Sequence, residues 1–184
     1  MAEFRLEPFV RELPLADFRA RYQDRARFLP YCRACPNYQT VWSCPPFSFD
    51  VDEYLAPFRR VRVVCMKIHL ASALIEAADT PEKVKDTGWR IVVYVKKRIE
   101  ARLRAEEQKT PGSRALSSGG CNLCANCTRT AGAPCRAPER MRYSLDALGF
   151  DLSAITEDLF GIRILWCRDR LPAYFTLIHA LLLP

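Results

Sequence analysis

The chain has 184 residues, is 49% hydrophobic and 27% charged, and carries a formal net charge of +7. That balance supports one folded domain with a sizeable core and excludes a wholly disordered chain. The opening MAEFRLEPFVRELPL has acids and prolines where a secretory leader needs an apolar run, and the late YFTLIHALLLP is too short to cross a bilayer as a helix; the expectation is a cytoplasmic protein with no membrane partner.

In chain order, residues 4–11 read as a short strand. LADFRARYQDRARF reads as one helix with Leu15, Phe18 and Tyr22 on one side. A first cysteine loop follows over residues 30–47. DVDEYLAPF is a short helix with acids in its first turn, where they suit the helix dipole. RVRVVCMKIHL is the clearest strand. Residues 81–108 read as a long helix, because Ile91, Val95, Ile99 and Leu103 recur every fourth position; the run IVVYV inside it also suits a strand. RALSSGG is a strand leading into a second cysteine loop, residues 119–138. PERMRYSLDALG and LSAITEDLFG are helical in part, each ended by a glycine. IRILWC and AYFTLIHALLL close the chain as two strands, in a hairpin around RDRLP. Strands and helices mix without βαβ alternation. The expected fold is α+β over residues 1–184: a mostly antiparallel sheet, helices packed on one face, and both cysteine loops at one end.

Nine cysteines is an odd count, and seven of them sit in the two loops. Clustered cysteines in a reducing compartment point to metal rather than to disulfides. The second loop, GGCNLCANCTRTAGAPCRAP, holds Cys121, Cys124 and Cys127 as C-x2-C-x2-C, with Cys135 downstream. This spacing is close to the ferredoxin run, in which a loop wraps a [4Fe–4S] cubane and places successive sulfurs on different irons. The gap before Cys135 is longer than in that run, so Cys135 serves either the same cluster or a neighbouring site. Zinc, the alternative metal, takes four ligands at one centre and favours two separated C-x2-C pairs. Neither histidine, His69 or His179, lies in a cysteine loop.

The first loop, YCRACPNYQTVWSCPP, offers Cys32, Cys35 and Cys44 among prolines that hold an irregular shape. Three thiolates on a cubane leave one iron open, unless Cys65, Cys167 or Cys135 supplies the fourth. An open iron acts as a Lewis acid on a small molecule. Cys65 lies in an apolar strand and Cys167 ends one, so both read as packed core thiols. His69 alternates with apolar neighbours and reads as a structural or exposed side chain.

The combination CRAC, WSCPPF, GGCNLCANCT and PCRAPERMRYSLDALGFDL resembles a family of small prokaryotic predicted metal-binding proteins catalogued as a domain of unknown function. The likeness covers nearly the whole chain. It implies metal binding, as iron–sulfur, and an anaerobic or low-oxygen setting; it implies no reaction.

Arg33, Arg129, Arg136, Arg140 and Arg142 stand near the loops in sequence. They would offset the negative charge of thiolate-bound clusters, dock an acidic redox partner protein or an anionic substrate, or form an ordinary solvated basic surface. No aromatic platform accompanies the basic run KKRIEARLRAEEQK, so nucleic acid is not an expected partner. No P-loop, dinucleotide fingerprint or Ser/His/Asp triad is present, and no catalytic residue is assigned. The sequence therefore points to an iron–sulfur protein with one or two [4Fe–4S] clusters on Cys32, Cys35, Cys44, Cys121, Cys124, Cys127 and Cys135, relaying electrons or serving an anaerobic enzyme. A non-redox lyase or desulfidase with an open iron, and a zinc-binding interaction module, are the alternatives.

Overall fold

A computed structural model describes residues 3–184. Four strands form one antiparallel sheet in the order β1-β2-β4-β3. β1 (Phe4–Pro14) pairs along its whole length with β2 (Arg60–Leu70), Phe4 lying opposite Leu70 and Pro14 opposite Arg60. The other edge of β2 takes β4 (Tyr174–Leu183), and β3 (Arg114–Leu116) is a three-residue edge strand on the end of β4.

Side chains alternate across a strand, so an apolar run with no polar gaps must be covered on both faces. β2 and β4 are not free of polar residues, but each carries apolar side chains on both of its faces. Val61, Val63 and Cys65 of β2, with Ile178, Ala180 and Leu182 of β4, build one core. That core is closed by α1 (Leu15–Tyr22), α3 (Val51–Leu55) and α6 (Leu152–Phe160), through Phe18, Leu55 and Ile155. Ile68, Leu177, Leu181 and Leu183 face the opposite way, onto α5 (Pro81–Lys109). Helices therefore cover both faces of the sheet, not the single face expected from the sequence. The remaining helices are α2 (Arg25–Ala34) and α4 (Ser72–Ala77).

α5 runs unbroken through IVVYV. Thr80 caps it by accepting the Lys83 amide at 3.3 Å, and Pro81 occupies its first turn. Ile91, Val95, Ile99 and Leu103 are buried against the sheet. At about 1.5–3 kcal/mol for each fully buried side chain, this stripe outweighs the weak helix propensity of β-branched residues.

Three local expectations are corrected. LADFRARYQDRARF is two helices, broken at Gln23–Asp24, because Asp24 caps the second by accepting the Arg27 amide at 2.9 Å. PERMRYSLDALG forms turns rather than helix. The hairpin around RDRLP is absent: Ile162–Cys167 is not a strand. Ile162 is anchored in the first core and Leu171 in the second. The chain between them must pass from one face of the sheet to the other, and so cannot run beside β4; the Tyr174 hydroxyl steadies it by donating to the Arg163 carbonyl at 2.7 Å. Among the described residues, no helix is long and apolar enough to cross a membrane.

Candidate functional site

α2 carries the first thiol. The helix continues past Pro30 to Ala34, so Cys32 lies in its last turn, and the loop expected from residue 30 leaves regular structure only at Cys35. Tight turns then fold the chain back: the Tyr38 amide donates to the Cys35 carbonyl and the Cys44 amide to the Val41 carbonyl, both at 3.0 Å. The result brings Cys32, Cys35 and Cys44 to the wall of one cavity of about 250 Å³. Phe28, Tyr38 and Phe150 supply apolar surface to the same space. Cys44 is buried, and burial pushes its thiol up to about 11. Burial also raises Cys32, with Asp146 and Cys35 adding to the effect.

Among the described residues, Asp146 is the one carboxylate lining this cavity. It lies about 100 residues from the cysteines in sequence, and the break between α1 and α2 brings it there. The Asp24 amide donates to the Gly149 carbonyl at 2.9 Å, Gln23 Nε2 donates to the Leu148 carbonyl at 3.0 Å, and Gln23 forms a bridge with Phe150. Gly149 has φ +87°, and a Cβ there would lie 2.7 Å from Arg25 Cγ and 2.9 Å from Arg25 Cα. The Leu145–Phe150 turn is thus pinned to the start of the helix that carries Cys32. Asp146 Oδ1 is buried there without a hydrogen-bond partner.

The second loop surrounds a separate, narrow space of about 20 Å³. Cys121, Cys124, Cys127 and Cys135 all line it, so Cys135 sits with the other three thiols of its loop and not with the first group. A one-turn 3-10 segment, Thr128–Ala131, closes at Gly132 with φ +65°, and the Thr128 hydroxyl donates to the Pro134 carbonyl at 2.8 Å. This turn directs the chain back so that Cys135 faces the C-x2-C-x2-C run.

The two loops are built into each other. The Cys121 amide donates to the hydroxyl of the fully buried Ser43 at 2.9 Å, one residue from Cys44. Arg129 of the second loop donates to three carbonyls of the first: Val41 at 2.9 Å, Pro46 at 2.6 Å, and Cys44. Its guanidinium lies over the Trp42 ring, 5.3 Å from the centroid, and Trp42 Nε1 donates to the Ala133 carbonyl at 3.2 Å. Beneath the loops, Lys96 of α5 is 3% exposed. Its ammonium donates to the Gly120 carbonyl and, at 2.7 Å, to Asn122 Oδ1, with Glu100 3.7 Å away. Burial lowers the Lys96 pKa, while Glu100, Cys121, Asp146 and Cys44 counter that fall by favouring the cation. A buried cation therefore stands where the fields of both cysteine groups meet.

Other residues singled out in the sequence lie elsewhere. Cys65 is wholly buried in the sheet, its thiol pushed up to about 12 by burial. Cys167 does not end a strand and is exposed, so it is not the packed core thiol expected; it borders a depression near the start of α5. His69 Nε2 lies 2.5 Å from Glu7 Oε2, a cross-strand pair. Arg142 is taken up by Glu107, at 2.7 and 2.8 Å, which leaves Arg33, Arg136 and Arg140 exposed near the loops. Asp146 and Lys96 were not singled out in the sequence. Their only linear signal is a charged residue at an otherwise apolar position, in SLDAL and in VKK.

The donor types fit a metal. Four thiols line one space, and three thiols with an unpartnered carboxylate oxygen line the other. Among the described residues no three His, Cys, Asp or Glu side chains close on a single point as one bare ion would require. The donors border their spaces instead of converging. No curated protein and no solved structure matches the chain. A family model described as predicted metal-binding protein (DUF2284), a domain of unknown function, matches residues 20–183, a span that includes both cysteine loops, Lys96 and Asp146, and the chain belongs to that family.

Proposed function

We propose that the protein binds iron–sulfur clusters at two neighbouring sites, one on Cys121, Cys124, Cys127 and Cys135 and one on Cys32, Cys35 and Cys44, and that it relays electrons for an anaerobic enzyme. The observation that carries this reading is the shared wall between two separate donor sets: the Cys121 amide donates to Ser43 Oγ at 2.9 Å, and Ser43 is bonded to Cys44. A relay needs its centres close, and this contact joins a donor residue of one site to the neighbour of a donor in the other. Clusters supply one-electron chemistry when bound. The chain's own contribution is to hold the thiols, exclude water with Trp42 and Phe150, and place the Lys96 ammonium and the Arg129 guanidinium against thiolate charge. Exposed Arg33, Arg136 and Arg140 suit an acidic redox partner.

A second reading is favoured by one observation. The first cysteine group lines a cavity of about 250 Å³ with apolar walls, and Cys32 and Asp146 also border an adjoining depression of about 500 Å³ that offers a small molecule room beside the metal. In that case the first site performs non-redox lyase or desulfidase chemistry, and the second transfers electrons or stabilises the fold.

Purification under argon, with iron, zinc and acid-labile sulfide measured per chain and EPR recorded on the reduced protein, tests both readings. The expected result is iron and sulfide in near-equal amounts and two cluster signals, of which Cys44→Ser removes one. Stoichiometric zinc without sulfide would overturn both and leave a zinc-binding interaction module. A ligand-induced change confined to the signal that Cys44→Ser removes would favour the second reading.

A further inference from the structure

We propose that Asp146 is the fourth metal donor of the first cysteine site, so that this site is a mixed sulfur–oxygen centre beside an all-thiol neighbour. The proposal rests on the iron–sulfur reading above.

Three thiols fill three of the four corners of a cubane, and a fourth protein donor, if the corner is not left open, has to come from the lining of the same cavity. None of the other cysteines meets that condition. Cys65 lies inside the sheet core, Cys167 borders a depression near the start of α5, and Cys135 lines the second space. Neither histidine meets it: His69 is paired with Glu7 on β1, and His179 is buried in β4. Asp146 does meet it, as the one carboxylate among the described residues that lines that cavity.

The state of its oxygen is the second, independent observation. Oδ1 is buried with no donor in reach. Asp146 as a whole is half-buried, but this one oxygen is inaccessible, and a buried polar atom left without a partner is uncommon in native structures unless a cation or metal compensates it. The turn is also rigidly placed. Contacts from Gln23 and Asp24 to Leu148, Gly149 and Phe150 fix it against the helix that carries Cys32. Pre-positioning of this kind is what a ligand requires and what a loosely tethered surface acid lacks. A carboxylate is a harder donor than a thiolate, and carboxylate oxygen is among the ligands iron accepts in proteins. The position also has an approach from outside, because Cys32 and Asp146 border a second depression of about 500 Å³ alongside the cavity.

Two substitutions in the full chain, prepared under argon, separate ligation from packing. Asp146→Asn keeps the shape and removes the anionic donor; Asp146→Cys changes the shape and restores a strong donor. Cys44→Ser identifies which EPR signal belongs to the first site. If Asp146 binds iron, Asn alters or abolishes that signal and loses about one iron per chain on mild oxidation, whereas Cys retains the iron with shifted g-values and reduction potential. The second-site signal stays unchanged in both. Wild-type iron, sulfide and first-site EPR in Asp146→Asn would overturn the proposal and leave the iron–sulfur reading intact. If the Asn protein does not fold, a first-site signal in Asp146→Cys identical to wild type overturns it equally. Absence of iron and sulfide from the wild-type protein would remove the reading and the proposal together.

Discussion

Arg129 is the clasp between the two cysteine loops, and removing it tests whether they form one unit. In Arg129→Gln three carbonyls lose a charged donor: Val41, Cys44 and Pro46. A hydrogen bond to a charged group contributes about 1.5–3 kcal/mol when shielded. The Pro46 contact is exposed, so water replaces most of it, while the Val41 and Cys44 contacts are partly buried. Discounting for solvent, the loss is about 3 kcal/mol. A domain of this size moves by roughly 2–4 °C per kcal/mol, giving a fall in Tm of about 6–12 °C. Scanning calorimetry of anaerobic protein measures it. Because the Cys44 carbonyl is among the acceptors, the variant should also lose metal from the first site faster under a chelator. The control is Arg136→Gln, whose arginine makes one exposed contact, to the Asn126 carbonyl at 3.3 Å; its effect should stay within about 0.5 kcal/mol. If Arg129→Gln melts within a degree of wild type and releases metal at the same rate, the loops are not coupled through this residue.

Three further outcomes follow from buried or strained positions. His179 is fully buried with neither ring nitrogen partnered, and burial, aided by the Lys96 charge, lowers its pKa from 6.5 to about 3. The unfolded chain therefore binds the proton first. Stability is complete above about pH 6.5 and falls as pH drops toward 3, with about 3 kcal/mol lost between pH 7 and 4.5, seen in urea unfolding; His179→Leu should flatten that slope, and an unchanged slope would refute the assignment. Lys96→Met leaves the Glu100 carboxylate with the Ser117 hydroxyl but no cation, and the Gly120 carbonyl and Asn122 without the Lys96 donor; it should cost about 3–5 kcal/mol in the same assay, and adding Glu100→Gln should recover part of it. Gly149→Ala combines φ +87° with a Cβ 2.9 Å from the Arg25 backbone, whereas Gly132→Ala has φ +65° with open space around it. The first should cost about 3 kcal/mol or more and the second about 1, and equal melting temperatures would show that the Gly149 contact is not tight.

The linear sequence determined the elements whose signal is local. The fourfold stripe Ile91, Val95, Ile99 and Leu103 specifies α5 despite its β-branched stretch, and RVRVVCMKIHL specifies β2. Cysteine spacing alone groups Cys121, Cys124 and Cys127, because residues so close along a chain are held together by its short reach, whereas the turn closing at Gly132 decided that Cys135 joins them. What joins distant segments was decided only in three dimensions. The second helical layer arises because β2 and β4 are apolar on both faces, which tells that a cover is needed but not which helix supplies it. The missing hairpin reflects a requirement to carry Ile162 and Leu171 to opposite cores, and no pattern within IRILWC records that. Asp146 reaches the first cysteine group chiefly through backbone hydrogen bonds, from the Asp24 amide to the Gly149 carbonyl and from the Asp151 amide to the Tyr22 carbonyl, whose donors and acceptors nearly every residue type supplies and which leave no trace in the sequence; the Gln23 side chain adds one to the Leu148 carbonyl.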